Sequence, residues 1–253
     1  MARIIAICNQ KGGVGKTTTA INLASCLALA ERRTLLIDSD PQGNSGSGMG
    51  IDKSSLTESI YDCLLRKKTI AEVTLDTELP TLKMVPSTIS LVGAELELVS
   101  EIARETRLKE ALAPEQDKYD YIIVDCPPSL GLLTINALTA ANSVLIPVQC
   151  EYYALEGLTQ LLKTVELVRN HLNPNLEIEG ALLTMYDSRL NLSKQVAEEI
   201  RKHFQDKVYQ TVINRNVRLS EAPSFGKPIV QYDILCSGAE NYLAFDSELM
   251  GAA

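Results

Sequence analysis

Lys11-Gly12-Gly13-Val14-Gly15-Lys16-Thr17-Thr18 follows directly on the apolar run Arg3-Ile4-Ile5-Ala6-Ile7-Cys8. The order is a strand, a glycine-rich loop and the start of a helix. Three of the four residues from Gly12 to Gly15 lack a Cβ, so the backbone can take unusual dihedrals and come close to a ligand. The N–H groups of such a loop converge on an anion, and the positive end of the following helix adds to the attraction. Lys16 is placed to reach the β- and γ-phosphate oxygens of a nucleotide, and the Thr17 hydroxyl to sit on Mg²⁺. The backbone from Lys11 through Gly12, Gly13, Val14, Gly15, Lys16 and Thr17 to Thr18 is thus the expected phosphate cradle. The plain alternative is a glycine-rich turn with incidental lysines. Chance yields this string in roughly one chain of this length in ten thousand or fewer.

Outward from the loop, apolar runs alternate with helical stretches. Residues 17–31 carry Ile21, Leu23, Ala24, Leu27 and Ala28 at helical spacing. Thr34-Leu35-Leu36-Ile37 reads as a strand ending on Asp38, and the Gly/Ser-rich stretch 43–50 as a mobile loop. Further helices are expected over 56–65, 90–112 (broken once), 130–141, 155–171 and 190–204. Further strands are expected over 82–85, 121–124, 144–146 and 176–184, with Pro86 and Pro147 as stops. Strands of continuous Ile, Leu and Val are buried on both faces. Their alternation with helices predicts an α/β fold: a doubly wound, mostly parallel sheet flanked by helices. Such sheets bind ligands at the carboxyl ends of their strands. The loop, Asp38 and Asp125 all fall there, so a single site is expected.

The bulk properties bound the rest. The chain has 253 residues, 45% of them hydrophobic, which is ample for a core. No apolar run approaches ~18 residues, so no transmembrane helix is expected. The first residues enter a strand at once, and no export signal is expected. Six dispersed cysteines without a C-x-x-C suit reduced thiols in a cytosol rather than disulfides. A net charge of −8 argues against a simple polyanion binder unless basic residues are concentrated locally.

The loop departs from the usual G-x-x-x-x-G-K-[ST] pattern, which requires glycine at position 10. This chain has Gln10 there and opens the loop with a second lysine, Lys11. Asp125 closes an apolar run at the Walker B position, where an acid holds Mg²⁺ through water. The next residue is Cys126, so the glutamate base of many fast ATPases of this loop class is missing.

A lysine-first loop is the deviant Walker A signature. With Asp38-Ser39-Asp40-Pro41-Gln42-Gly43-Asn44, Asp125-Cys126-Pro127-Pro128-Ser129, Pro147-Val148-Gln149-Cys150-Glu151-Tyr152-Tyr153 and Arg218-Leu219-Ser220-Glu221-Ala222-Pro223, it resembles the ParA/MinD family of ATPases. Within that family the resemblance is to the chromosomal ParA (Soj) group of bacterial DNA segregation, over nearly the whole chain. It implies a single P-loop ATPase domain over residues 1–253, converting ATP to ADP and phosphate with Mg²⁺ and turning over slowly by itself. It gives Asp40 the role of activating the attacking water, and places Asp38 with Thr17 and Asp125 near the metal. It sends Lys11 across to the ATP of a partner subunit, where it acts as a charge donor in trans, as an arginine finger does. ATP is then sandwiched in a homodimer, and Gly12 permits the close approach. Asn216 matches a residue that contacts adenine, although Asn214 stands where the family carries proline.

The resemblance also implies non-specific binding of double-stranded DNA, with Arg189 and Arg218 at the DNA-binding positions. Residues 186–230 hold eight basic and five acidic side chains, the basic part of an acidic protein. Contacts from such a patch are sequence-independent and salt-sensitive. A ParB-type centromere-binding protein is the implied partner, and the cytoplasm, on the nucleoid, the implied location, without membrane attachment. Other members of the loop class make different demands. A MinD-like membrane ATPase ends in a basic amphipathic helix, whereas 242–250 here is acidic. An iron–sulfur cluster carrier needs paired cysteines at a dimer face. An enzyme acting on a metabolite needs a substrate pocket, for which no motif is present.

Overall fold

The computed structural model describes residues 1–151 and 154–251. Tyr152 and Tyr153 of the segment 147–153 lie outside the described residues. One sheet holds β1 (Arg3–Ile7), β2 (Thr34–Asp38), β3 (Leu75–Asp76), β4 (Leu82–Val85), β5 (Tyr121–Asp125), β6 (Ser143–Gln149), β7 (Glu177–Tyr186) and β8 (Val208–Asn214). Their order is β3-β4-β2-β5-β1-β6-β7-β8. Every pairing is parallel except that of β3 with β4. The sheet is therefore doubly wound about β1, and the loop that leaves β1 sits at the switch in strand order.

The core explains why the central strands read as unbroken apolar runs. Successive side chains of a strand point to opposite faces. Ile4, Ala6, Leu35, Ile37, Ile122 and Val124 enter the apolar layer on one face. Ile5, Ile7, Leu36, Ile123 and Leu145 enter the layer on the other. Each fully buried aliphatic side chain contributes about 1.5–3 kcal/mol of transfer free energy.

Several expected boundaries move, each for a local reason. Residues 43–50 are not an open loop, because Asn44–Gly48 is a short helix with Ser45 and Gly46 buried. The helix expected from 56 starts at Ile60, behind a capping box in which Ser59 accepts from Tyr61 N and Asp62 accepts from Ser59 N. The stretch 90–112 breaks once: Leu91–Glu97 and Arg107–Leu112 are helical, and Ala103 between them takes φ 55°. Pro147 lies inside β6 rather than stopping it. Its pairing is with β7, while β1 has already ended opposite Leu145, so its missing N–H costs the ladder nothing.

The Ser237–Leu249 helix closes the molecule over the Lys16–Leu29 helix and β8. Tyr242 and Phe245 are buried in the core, the Tyr242 hydroxyl lies 3.1 Å from Thr19 Oγ1, and Phe245 meets Tyr209 edge-on. One face of residues 242–250 is thus core packing. Among the described residues no helix is long and apolar enough to cross a membrane.

Asp246 is buried on the same helix, and its Oδ1 has no hydrogen-bond partner. Burial pushes its carboxyl up to about 6, against an ordinary value of 3.8. The folded chain therefore favours the neutral acid. The penalty is absent below the unfolded value and grows as pH rises through the folded one. Asp246→Asn is expected to stabilise the protein by about 1 kcal/mol at pH 8, after allowance for partial solvation, and by almost nothing near pH 3. Urea unfolding at the two pH values checks this.

Candidate nucleotide site

The loop after β1 is shaped by two glycines. Gly13 (φ 75°) and Gly15 (φ 87°) occupy the left-handed region, where a side chain is strained. The first helical bond runs from Thr19 N to Gly15 O, so the N–H groups of Lys16, Thr17 and Thr18 lack intrahelical partners. Asn9 and Thr184 brace the loop from below. Asn9 Nδ2 donates to Pro147 O (2.7 Å), Asn9 Oδ1 accepts from Lys11 N (3.0 Å), and Thr184 Oγ1 donates to Val14 O (2.9 Å). The outer side is open: a Cβ built on Gly12 or Gly13 meets nothing within 4 Å. Lys16 is 7% exposed, and among the described residues its ammonium donates to Lys11 O alone, at 3.4 Å.

Two acids lie beside the loop. Asp38 and Asp125 are register partners at the ends of β2 and β5, and both are fully buried. Asp38 accepts from Asp40 N and Gly46 N, each at 3.1 Å. Asp125 Oδ2 accepts from Ser45 Oγ at 2.7 Å. Burial raises the pKa of both carboxyls, and for Asp38 the charge of Asp125 adds to it. Asp125 is pulled back by Ser45, Thr17 and the Lys16 charge. Its Oδ1 is buried without a partner. A buried acid pair with an orphaned oxygen fits a divalent cation. Among the described residues no group of three or more acids, histidines or cysteines would hold an ion by itself. A pair of carboxylates suits Mg²⁺, which takes one or two of them and completes its shell with phosphates and water. Asp40, 7% exposed, follows on the same turn, with Oδ1 accepting from Gln42 N at 2.9 Å.

The Lys11 ammonium rests on Glu151, 3.8 Å from Oε2. The other oxygen of Glu151 accepts from Gln149 Nε2 (2.7 Å) and Arg215 Nη2 (3.4 Å). Beyond the loop a cleft of about 310 Å³ brings Gly15 and Thr18 together with Asn214, Asn216 and Tyr242. Asn216 caps the Val217–Glu221 helix through Oδ1, which accepts from Arg218 N, and its Nδ2 donates to Ser237 Oγ. The expected adenine contact therefore lines the cleft next to the phosphate cradle.

Comparison with known proteins gives the arrangement a family. A family model described as an AAA domain matches residues 2–178. The chromosome partitioning protein ParA of Myxococcus xanthus is 62% identical over 250 residues, covering 99% of this chain and 88% of that protein. The sporulation initiation inhibitor protein Soj of Bacillus subtilis is 61% identical over 249 residues, covering 98% of each. The chain belongs to the ParA family. Among solved structures, a cobyrinic acid a,c-diamide synthase from Mycobacterium smegmatis with bound ATP analogue and magnesium superimposes with a TM-score of 0.88 at 36% identity. That match covers 99% of this chain and 95% of the other.

In this ParA-family chain the two arginines singled out for DNA lie on one edge but outside the nucleotide cradle. Tyr186 and Asn214 are register partners at the ends of β7 and β8, and Arg189 and Arg218 follow them within a few residues. Arg189 donates from Nε and Nη2 to Asp187, whose carboxyl it holds down at about 2. Arg218 pairs with Glu221 and Asp233. Three residues of the site were not anticipated. Asn9 carries a readable signal, an Asx-type bond to the backbone two residues on. Ser45 on Asp125 and Glu151 on Lys11 carry none, because each reaches a partner far away in the chain.

Proposed function

We propose that this chain is an ATP-operated switch for segregating chromosomal or plasmid DNA, working as one ATPase domain over residues 1–253. The observation that carries the reading is the second loop lysine. Lys11 is held by Glu151 beside an open glycine face, while Lys16 alone is buried at the cradle. The identity to ParA of Myxococcus xanthus and to Soj of Bacillus subtilis supports it. The ATP analogue and magnesium in the Mycobacterium smegmatis structure support ATP and Mg²⁺ as ligands here.

In this reading Lys16 and the N–H groups from Gly12 to Thr18 hold the phosphates, and Thr17, Asp38 and Asp125 hold the metal. Mg²⁺, once held there, would supply charge that neutralises the phosphates. Asp40 orients the attacking water and accepts its proton. Lys11 of a second copy stabilises the charge that develops on the transferred phosphoryl group. Asn216 borders the base. Without a preassembled glutamate base, turnover is slow until a ParB-type protein stimulates it. The ATP-made homodimer doubles the surface of Arg189 and Arg218, so ATP state sets the affinity for non-specific double-stranded DNA. The protein acts in the cytoplasm, on the nucleoid and off the membrane.

Light scattering with ATP or ADP, with and without a non-specific duplex, tests the reading. A dimer formed only with ATP and released from DNA by salt is expected. Arg189→Glu is expected to weaken DNA binding at least tenfold at moderate salt while sparing ATP-driven dimerisation. Full DNA binding by that variant places the patch elsewhere. A chain that binds ATP yet stays monomeric belongs with another activity of the loop class.

A further inference from the structure

The Leu91–Glu97 helix, with the 3₁₀ turn Leu98–Ser100 that extends it, is apolar on two opposite sides. Leu91, Ala94 and Leu98 are fully buried in the core. Val92, Leu96 and Val99 point the other way, 47%, 75% and 60% exposed, and Ile89 (68%) and Ile102 (89%) lengthen the row. Positions 89, 92, 96 and 99 share one helical stripe. A helix that is apolar all round belongs in an interior, and an exposed row of large aliphatic side chains marks an interaction surface. Acidic neighbours do not offset the row, since Glu97 is bonded by Tyr61 and Glu101 by Arg107.

The position of the stripe indicates its occupant. The Ser87 carbonyl, two residues before Ile89, lies 2.8 Å from where a Cβ on Gly43 would stand, on the turn that follows Asp40. Glu95 Oε1 lies 2.6 Å from the same point on Gly131, beyond the loop that follows Asp125. The helix and the turn before it therefore adjoin both acid-bearing loops, at the carboxyl ends of the strands, where the loop with Lys11 also leaves the sheet. We infer that this stripe is the apolar part of the surface on which a second copy of the chain docks when ATP is bound. The inference rests on the reading that Lys11 crosses to a partner's ATP. The open glycine face offers backbone and charge but little apolar area. A stable pair needs about 800 Å² per partner with an apolar centre. A two-fold pair uses the same patch on both copies, so each copy contributes its stripe. Five side chains are too few to hold the copies without nucleotide, so the contact forms with ATP and is lost with it.

Leu96→Glu tests this in the full chain with a non-hydrolysable ATP analogue, followed by light scattering across concentration. The side chain is exposed, so the fold is kept. The dimerisation midpoint is expected to rise at least tenfold, while binding of a fluorescent ATP analogue to the monomer stays within twofold. Leu96→Ala is expected to shift the midpoint the same way, by about threefold. A Leu96→Glu variant that dimerises like the wild type overturns the inference and leaves the ATP dimer standing. So does one that dimerises normally but no longer responds to a ParB-type protein, because the occupant is then that partner. A wild-type chain that stays monomeric with the analogue overturns the dimer itself, and the stripe's occupant with it.

Discussion

Lys16→Ala lowers ATP affinity by about 10²- to 10³-fold and leaves the fold intact. Lys16 is almost fully buried at the first turn of the Lys16–Leu29 helix, where three N–H groups lack partners. Truncating one member of a buried, charge-assisted pair costs about 3–5 kcal/mol, because the phosphate charge is left uncompensated. The unliganded protein loses much less. Its Lys16 ammonium has one long hydrogen bond and otherwise offsets the charge of Asp125. When that charge is removed, burial drives Asp125 further toward its neutral form, and protonation relieves the strain. Titration with a fluorescent ATP analogue, alongside circular dichroism, reads both effects. Affinity within threefold of the wild type would mean that the loop does not hold phosphates.

Asp40→Ala acts on the next step. It is expected to slow hydrolysis about 10²- to 10³-fold, the usual contribution of a positioned general base, while ATP binding and dimerisation persist. The geometry allows this separation. The bond that Asp40 makes to Asp38 comes from its backbone N–H, which alanine keeps. The side chain contributes only the bond from Gln42 N, worth about 1 kcal/mol to the turn. The acid pair should therefore stay in place, and the dimer should accumulate with ATP and remain on DNA. Single-turnover phosphate release and light scattering measure the two halves. Wild-type hydrolysis would assign the base elsewhere, and failure to dimerise would make Asp40 structural.

The central strands were legible because burial on both faces leaves a run such as Ile122-Ile123-Val124 with no polar interruption. The phosphate loop was legible because its geometry demands glycines at fixed places. β8 was not, since an edge strand that carries Gln210 and Thr211 shows no such run. The Ser237–Leu249 helix was not legible, because its acidic residues mask the buried row of Tyr242, Phe245 and Leu249. Helical periodicity over 90–112 announced a helix but could not tell which of its two apolar sides meets the core. Pairs such as Ser45 with Asp125, or Lys11 with Glu151, exist only once distant segments are brought to one sheet edge.

The helix behind the phosphate loop is fastened by residues made long after it. Thr19 meets Tyr242 across 223 positions, and Asn22 Oδ1 accepts from Ile229 N across 207. A nascent chain therefore carries the glycine loop out of the ribosome early, on a helix that packs on the first strands but still lacks its contacts with the last helices. Long-range contacts of this kind form late, after most of the loop-closure entropy has been lost. Full support of the phosphate loop is consequently expected near the end of folding, so that an unfinished polypeptide holds nucleotide less firmly than the complete chain.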